Sequence, residues 1–403
     1  MSLVFALLYF VWELRIQPGS EPFSEEPIAQ TSEEEIRGNN SIAVLPFINM
    51  SSDPEREVVN ALHIQLLGEA PLATSTNTEA YNLYLRGKHF ETVPTLKGLE
   101  SAVKAYQESI ALDADFAPAW VGLSNVLRGQ GQIDVTDLQE AMEAARHAAM
   151  RALELDNELA EAWLSLAEIQ FHYDWDWTRA EVSTRTALRY GPNNAPVLRL
   201  ATWVALTRGE SERALRLAQL AVDLDPLDYW GLLNLGTTYW ALGQLEEEER
   251  IYRRILDLYP ESRSYMVRSF LASTLTRQGK AEESLRYVDF DSKNQWQRAI
   301  SALILHSLGR HEEERPIQQI MIDEYSETWA FGIAMTHAWH VDTDKAFKWL
   351  DTAFEQKEFN MTQLILNQWL APLHDDPRWE AILEKMALLE YWTKSQAGQE
   401  AKP

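Results

Sequence analysis

His337 and His340 stand three residues apart, with Asp344 one helical turn further on. On a helix that spacing brings two imidazoles and a carboxylate to one face, where they could grip a metal ion. The neighbouring sequence offers no fourth ligand, so a packed or solvated histidine pair is the expected outcome and no metal is assigned. The run Asp174-Trp175-Asp176-Trp177 could stack a flat ligand. The simpler expectation is that its tryptophans seal a turn between two helices while its aspartates start the second one. Within Glu246–Arg254, Glu246 and Arg250, and likewise Glu249 and Arg253, sit at i,i+4 in the favourable order, which supports an exposed helix face. No glycine-rich phosphate loop, serine elbow or paired-carboxylate signature is present. Nothing in the sequence calls for a cofactor or an enzymatic activity.

Any of these groups needs a scaffold, and the scaffold is written as a repeat. Arg151–Glu168 (RALELDNELAEAWLSLAE) reads as the end of one helix, an acidic turn and the start of the next, and the phrase recurs between Tyr81 and Tyr265. The bulky residues opening each first helix are Trp120, Trp163, Leu198, Leu232 and Met266, separated by 43, 35, 34 and 34 residues. A 34-residue period is that of tetratricopeptide repeats, and the longer first step implies an insertion in one turn. Small residues fall where paired helices must approach: Ala145, Ala149 and Ala152, then Ala214, Ala218 and Ala221. Pro192, Pro226 and Pro260 share one register after the second helices, where a proline cannot continue the helix behind it. Gly209, Gly243 and Gly279 each end a first helix. The predicted fold is therefore all-α, a tetratricopeptide-type solenoid of antiparallel helix pairs, preceded by a short apolar helix and a remnant β-strand.

Composition agrees. The chain has 403 residues, 46% hydrophobic and 10% aromatic, enough for a continuous core that grows by stacking. Its formal net charge of −25 repels phosphate backbones, so nucleic acid is not an expected partner. Cysteine is absent, which excludes disulfides and thiolate chemistry. No feature fixes an oligomeric state.

In such arrays the first helix of each pair lines the concave face, where a peptide or protein segment lies. That register places Asn125, Arg128, Glu168, Phe171, Arg199, Trp203, Trp230, Asn234, Trp240 and Arg268 toward the groove. Arginine and tryptophan suit binding hot spots because they join large buried area to fixed polar donors. The set lacks the lysine–asparagine pattern of a carboxylate clamp, since Asn125 and Asn234 are not in consecutive repeats. An aromatic at any of these positions can equally pack between helices.

Toward the N-terminus, Leu3–Trp12 is an unbroken apolar run of ten, half of what a membrane span needs, and reads as the tail of a spanning helix, or else as a short anchor or a buried helix. Gln17–Asn40 is an acidic, flexible linker. Ser41–Phe47 (SIAVLPF) is the one convincing strand. SIAVLPFINMSSDPERE resembles the opening of a TolB-like domain, and STNTEAYNLYLRGKHF (Ser75–Phe90) resembles the segment that begins the repeat array after it. YDWDWTRAE (Tyr173–Glu181) and LAPLHDDPRWEAILEKMAL (Leu370–Leu388) match the same bacterial family. In that family a winged-helix or class III cyclase module precedes a transmembrane helix, a TolB-like domain and tetratricopeptide repeats. Only seventeen residues separate Glu57 from Ser75, so most of the TolB-like domain is missing, and no effector module is present. The resemblance implies a non-enzymatic sensory part of a membrane-anchored signalling protein that binds a protein or peptide, or else a structural component of an envelope assembly, or a remnant of a larger adenylate cyclase or transcriptional regulator. It places the protein at the inner membrane with its soluble part in the periplasm, the cytoplasm being the other reading. The domain reading is an apolar anchor at 1–16, the linker at 17–40, a TolB-like remnant at 41–74, clear repeats at 75–279, degenerate repeats with a capping helix at 280–391, and a disordered tail at 392–403.

Overall fold

The computed structural model describes residues 77–92, 95–132, 137–260 and 264–400. Among them every regular element is helical. The helices stack as successive pairs: α1 (Thr78–Glu91) with α2 (Leu96–Leu112), α3 (Ala117–Gln132) with α4 (Leu138–Leu155), and α5 (Ala160–Ile169) with α6 (Trp177–Tyr190). The series continues with α7 (Ala195–Thr207) and α8 (Ser211–Leu224), α9 (Tyr229–Ala241) and α10 (Leu245–Leu258), then α11 (Ser264–Arg277) and a short α12 (Ala281–Ser284). Two more pairs follow, α13 (Gln295–Ser307) with α14 (His311–Tyr325) and α15 (Ala330–Trp339) with α16 (Thr343–Glu355). The expected strand at Ser41–Phe47 and the apolar helix at 1–16 lie outside the described residues. No helix among the described residues is long and apolar enough to cross a membrane.

Local chemistry explains the punctuation. Asn77, Thr95, Asp137, Asp176, Asn194, Asp228 and Asn294 each accept a backbone N–H of the helix they precede. Such caps supply the acceptor that the first turn lacks. First helices end in one recurring motif, in which a left-handed residue turns the chain and two backbone bonds close back onto the last turn. At α7, Gly209 N–H donates to Leu206 O and Glu210 N–H to Ala205 O, at 2.9 and 2.8 Å. Gly243, Gly279 and Gly309 repeat it with φ of 67°, 77° and 70°. Between the helices of a pair and its neighbours, Ala145, Ala149, Ala152, Ala214, Ala218 and Ala221 are all buried.

After α16 the chain breaks into 3-10 turns at Phe359–Gln363 and Gln368–Leu373, then forms α17 (Pro377–Lys385) and α18 (Leu389–Glu400). This segment returns across the array instead of merely closing its end. Gln368 donates to the Ala241 carbonyl at 3.3 Å and Trp369 to Ser273 Oγ at 3.0 Å. The Trp177 indole donates to the Met386 carbonyl at 2.7 Å, and Arg208 reaches the Tyr391 hydroxyl. One core consequently joins Phe171, Trp203 and Ala241 to Trp369, Trp379 and Leu388. The sequence reading ended the fold at 391, whereas the helix runs on to Glu400. Trp392 explains the difference, since its ring packs on Trp379 and His374 at 5.7 and 4.6 Å.

One carboxylate ties this return to the array. Glu358, buried, accepts from the Phe331 N–H at the start of α15, where Trp329 offers no side-chain cap. Burial outweighs those bonds and pushes Glu358 up to about 7. That value stands above the roughly 4.3 of an unfolded glutamate. The folded chain therefore holds the extra proton between the two values, and this contribution to stability falls as pH rises from about 4.3 to about 7. Glu358→Gln keeps an acceptor for the Phe331 N–H and removes the titration. The expected result is a smaller loss of Tm over that window than in the wild type, by a share worth up to about 4 kcal/mol. Equal slopes in both proteins would refute it.

Candidate functional site

The first helices of successive pairs present a polar wall. On α3, Arg128 is 3% exposed, and its Nη1 lies 2.9 Å from Oε2 of Glu168 on α5, itself 5% exposed. On α7, Arg199 is 6% exposed, with Nη1 4.0 Å from Asp228 Oδ2. Burial lowers the Arg199 pKa, against the opposing charges of Asp228 and Glu168. Asp228 is already committed as the cap of α9, accepting the N–H groups of Trp230 and Gly231. On α9, buried Asn234 donates to Thr202 Oγ1 at 3.3 Å, and Asn125 on α3 accepts from Ser165 at 2.9 Å. Arg128 Nε, Arg199 Nε and Asn234 Oδ1 have no hydrogen-bond partner among the described residues. A buried donor left unsatisfied costs about 1–3 kcal/mol. Two fixed guanidiniums with unspent donors suit an occupant rich in carbonyl or carboxylate oxygens.

The aromatic half of the expected groove has a different fate. Phe171 packs edge-on against Trp177 at 5.3 Å and is buried. α5 runs into a π-helical turn (Gln170–Asp174), and His172 on it stacks on Phe359 at 4.0 Å. Trp175, left-handed at φ 55°, meets Phe354 and carries Lys357 over its ring. Trp203 and Trp240 face Trp296 and Trp369 across a cavity of about 40 Å³. Thr237, Ser273, Gln363 and Asn367 give that cavity polar walls, enough for one or two waters. These aromatics line the chain's own C-terminal segment. Of the remaining candidates, half-buried Trp230 packs edge-on against Tyr229 at 5.0 Å, and Arg268 is half-buried.

The other clusters sort as follows. Asp176 caps α6 and Asp174 pairs with Arg146 at 2.7 Å, while Trp175 and Trp177 are both buried. Arg253 pairs with Glu249 as the spacing predicts, but Arg250 turns to Glu247. Glu248, inside the same acidic run, is buried and bonded to Thr274 and Arg277. His337 and His340 do not share a site with Asp344, which pairs with Arg378. His337 faces Asp342, and His340 faces Glu314 and His306.

Comparison with known proteins follows this geometry. The tetratricopeptide-repeat family model matches residues 231–262, which span α9 and α10. The chain is 30% identical over 91 residues to human Protein O-mannosyl-transferase TMTC3, a stretch of 23% of this chain and 10% of that protein. It thus spans about a tenth of the length of the curated relative it matches. Among solved structures it is similar to a tetratricopeptide repeat protein from Parabacteroides merdae, with TM-score 0.44 and 14% identity over 60% of this chain and 92% of that one. Yeast Tom70 gives a TM-score of 0.46 at 15% identity, covering 78% of this chain and 69% of that one. PilF of Pseudomonas aeruginosa gives 0.42 at 18% identity, covering 53% and 94%.

Proposed function

We propose that the chain is a non-enzymatic protein-interaction scaffold whose polar wall on α3, α5, α7 and α9 takes an extended segment of a partner protein. The observation that carries this reading is the pair of buried arginines, Arg128 and Arg199, holding donors that the described residues leave unused. In a chain of net charge −25, cations so placed are local exceptions with a specific use. The aromatic end of the groove is filled by the chain itself, so the reading confines the partner to the wall built by the earlier pairs. The resemblance of residues 41–57 and 75–90 to the TolB-like family adds a setting: the sensory part of a membrane-anchored signalling protein, facing the periplasm.

Peptides selected from a random library on the immobilised protein provide the test. Their affinities are measured for the wild type, for Arg199→Ala and for Arg216→Ala, an exposed residue of α8. Loss of about tenfold or more for Arg199→Ala, with Arg216→Ala unchanged, is the expected result. Selected peptides that bind all three alike, or a library that yields no binder, would defeat the reading. Circular dichroism melts establish that each variant is folded.

A further inference from the structure

Three consecutive helices, α13, α14 and α15, converge on a single carboxylate. Glu314 stands in the first turn of α14, only 4% exposed. His306, near the end of α13, places Nδ1 3.3 Å from Glu314 Oε2, and His340, closing α15, places Nε2 2.9 Å from Oε1. One donor atom from each of the three residues lies within 4.8 Å of the others. The His306 and His340 rings stack at 3.9 Å, so both nitrogens reach the same carboxylate side by side. His311 adds a third imidazole, its Nδ1 3.1 Å from Oε2, on a side chain exposed enough to turn.

His306 Nδ1 and His311 Nδ1 both hydrogen-bond Glu314 Oε2, whereas the His340 contact is not a hydrogen bond. His340 Nε2 is buried and has no hydrogen-bond partner among the described residues, although it lies 2.9 Å from a carboxylate oxygen. The angles there are wrong for an N–H donor, as they would be for a lone pair aimed at a shared third body. Among the described residues no lysine or arginine pairs with the buried Glu314, whose partners are His306, His311 and His340. Donors bound at about 2.0–2.2 Å to a tetrahedral ion stand roughly 3.3–3.5 Å apart; one donor from each of the three residues lies within 4.8 Å of the others here, so the side chains close in by about an ångström on an ion.

We propose that His306, Glu314 and His340 bind a divalent transition-metal ion, Zn²⁺ by donor type, with His311 placed beside them to complete the shell. Two imidazoles and a carboxylate are a set that Zn²⁺ accepts, and the ion neutralises the buried Glu314. It also clips α13, α14 and α15 together beyond the short α12, where the array is least regular. Binding to the folded state alone stabilises by mass action, so unfolding depends on metal concentration.

The full chain, stripped with chelator, is titrated with Co²⁺ and then Zn²⁺. A tetrahedral Co²⁺ absorption that saturates at one ion per chain and is displaced by Zn²⁺ is expected, together with a Tm that climbs with Zn²⁺ concentration. His340→Ala and Glu314→Gln should weaken Co²⁺ binding by about tenfold or more, and His147→Ala on α4 should leave it unchanged. Imidazole NMR resonances of the wild type supply a readout free of folding defects: Zn²⁺ shifts those of His306 and His340 and spares that of His147. A folded, stripped wild type with neither Co²⁺ absorption nor Zn²⁺-dependent Tm overturns the proposal, as does a loss in His147→Ala equal to that in His340→Ala.

Discussion

Trp369→Ala should lower the free energy of unfolding by about 3–5 kcal/mol, toward the upper end for a buried tryptophan. The indole is 2% exposed, packs edge-on against Trp339 at 4.5 Å and donates to Ser273 Oγ on α11. Truncation would merge its volume with the 40 Å³ cavity it already borders, so the site cannot collapse around the loss. It would also cut a contact that spans 96 residues of chain. An open solenoid unfolds as a series of neighbours, each repeat touching only the next. Here the return of residues 359–395 joins α6, α7, α9 and α11 to the far end, so the array should unfold as a more cooperative unit than its repeats alone would. Urea melts of Trp369→Ala should show a lower midpoint and a broader transition, and proteolysis should cut the chain faster beyond Leu373. Trp369→Phe keeps most of the volume and loses the donor, so it should cost about 1–3 kcal/mol. A loss below about 1 kcal/mol for the alanine variant would mean that the C-terminal segment lies on the array without being part of its core.

The same segment shows where sequence reading succeeds and where it stops. Periodicity, small residues and helix-ending glycines make the helices from α1 to α11 legible, because each feature answers to a local steric demand. Beyond α13 the helix-ending motif persists while its marker disappears. Val341, Lys357 and Ala387 occupy the left-handed position at φ of 59°, 56° and 52°, closed by the same two backbone bonds that Gly209 makes. A non-glycine residue there costs about 1–2 kcal/mol, which packing around it must offset. The repeat in this part is intact in backbone geometry and invisible as a glycine pattern. Tertiary return was hidden for another reason. Trp369, Leu370, Leu373 and Trp379 are more apolar than the closing of one exposed end requires, but composition does not say which distant surface an apolar segment covers. Glu248 is a third case. Its neighbours Glu247 and Glu249 are half-buried and pair with Arg250, Arg253 and Lys280, and only Thr274 and Arg277 on the next helix explain why the middle carboxylate is buried.

Breaking the buried pair Arg128–Glu168 should be as damaging as the tryptophan loss, and unequally so from its two sides. Removal of one partner of such a pair costs about 3–5 kcal/mol, because the other is left charged away from water. In Arg128→Ala the stranded Glu168 still feels the Arg199 guanidinium on α7, so this variant belongs near the lower figure. In Glu168→Ala two arginines are stranded, and Arg199 keeps only Asp228, 4.0 Å away and already engaged with the α9 backbone. That variant belongs near the upper figure. Chemical denaturation of the two single variants checks the order, and a larger loss for Arg128→Ala would contradict the charge assignment of the wall. The double variant Arg128→Met, Glu168→Met removes both charges and keeps volume, so its stability should return to within about 1–2 kcal/mol of the wild type. If the wall exists to hold a partner's oxygens, the same double variant should still fail to bind peptides selected on the wild type. Recovered stability with lost binding separates a recognition surface from a packing device, whereas recovery of both would leave the buried charges without a role in recognition.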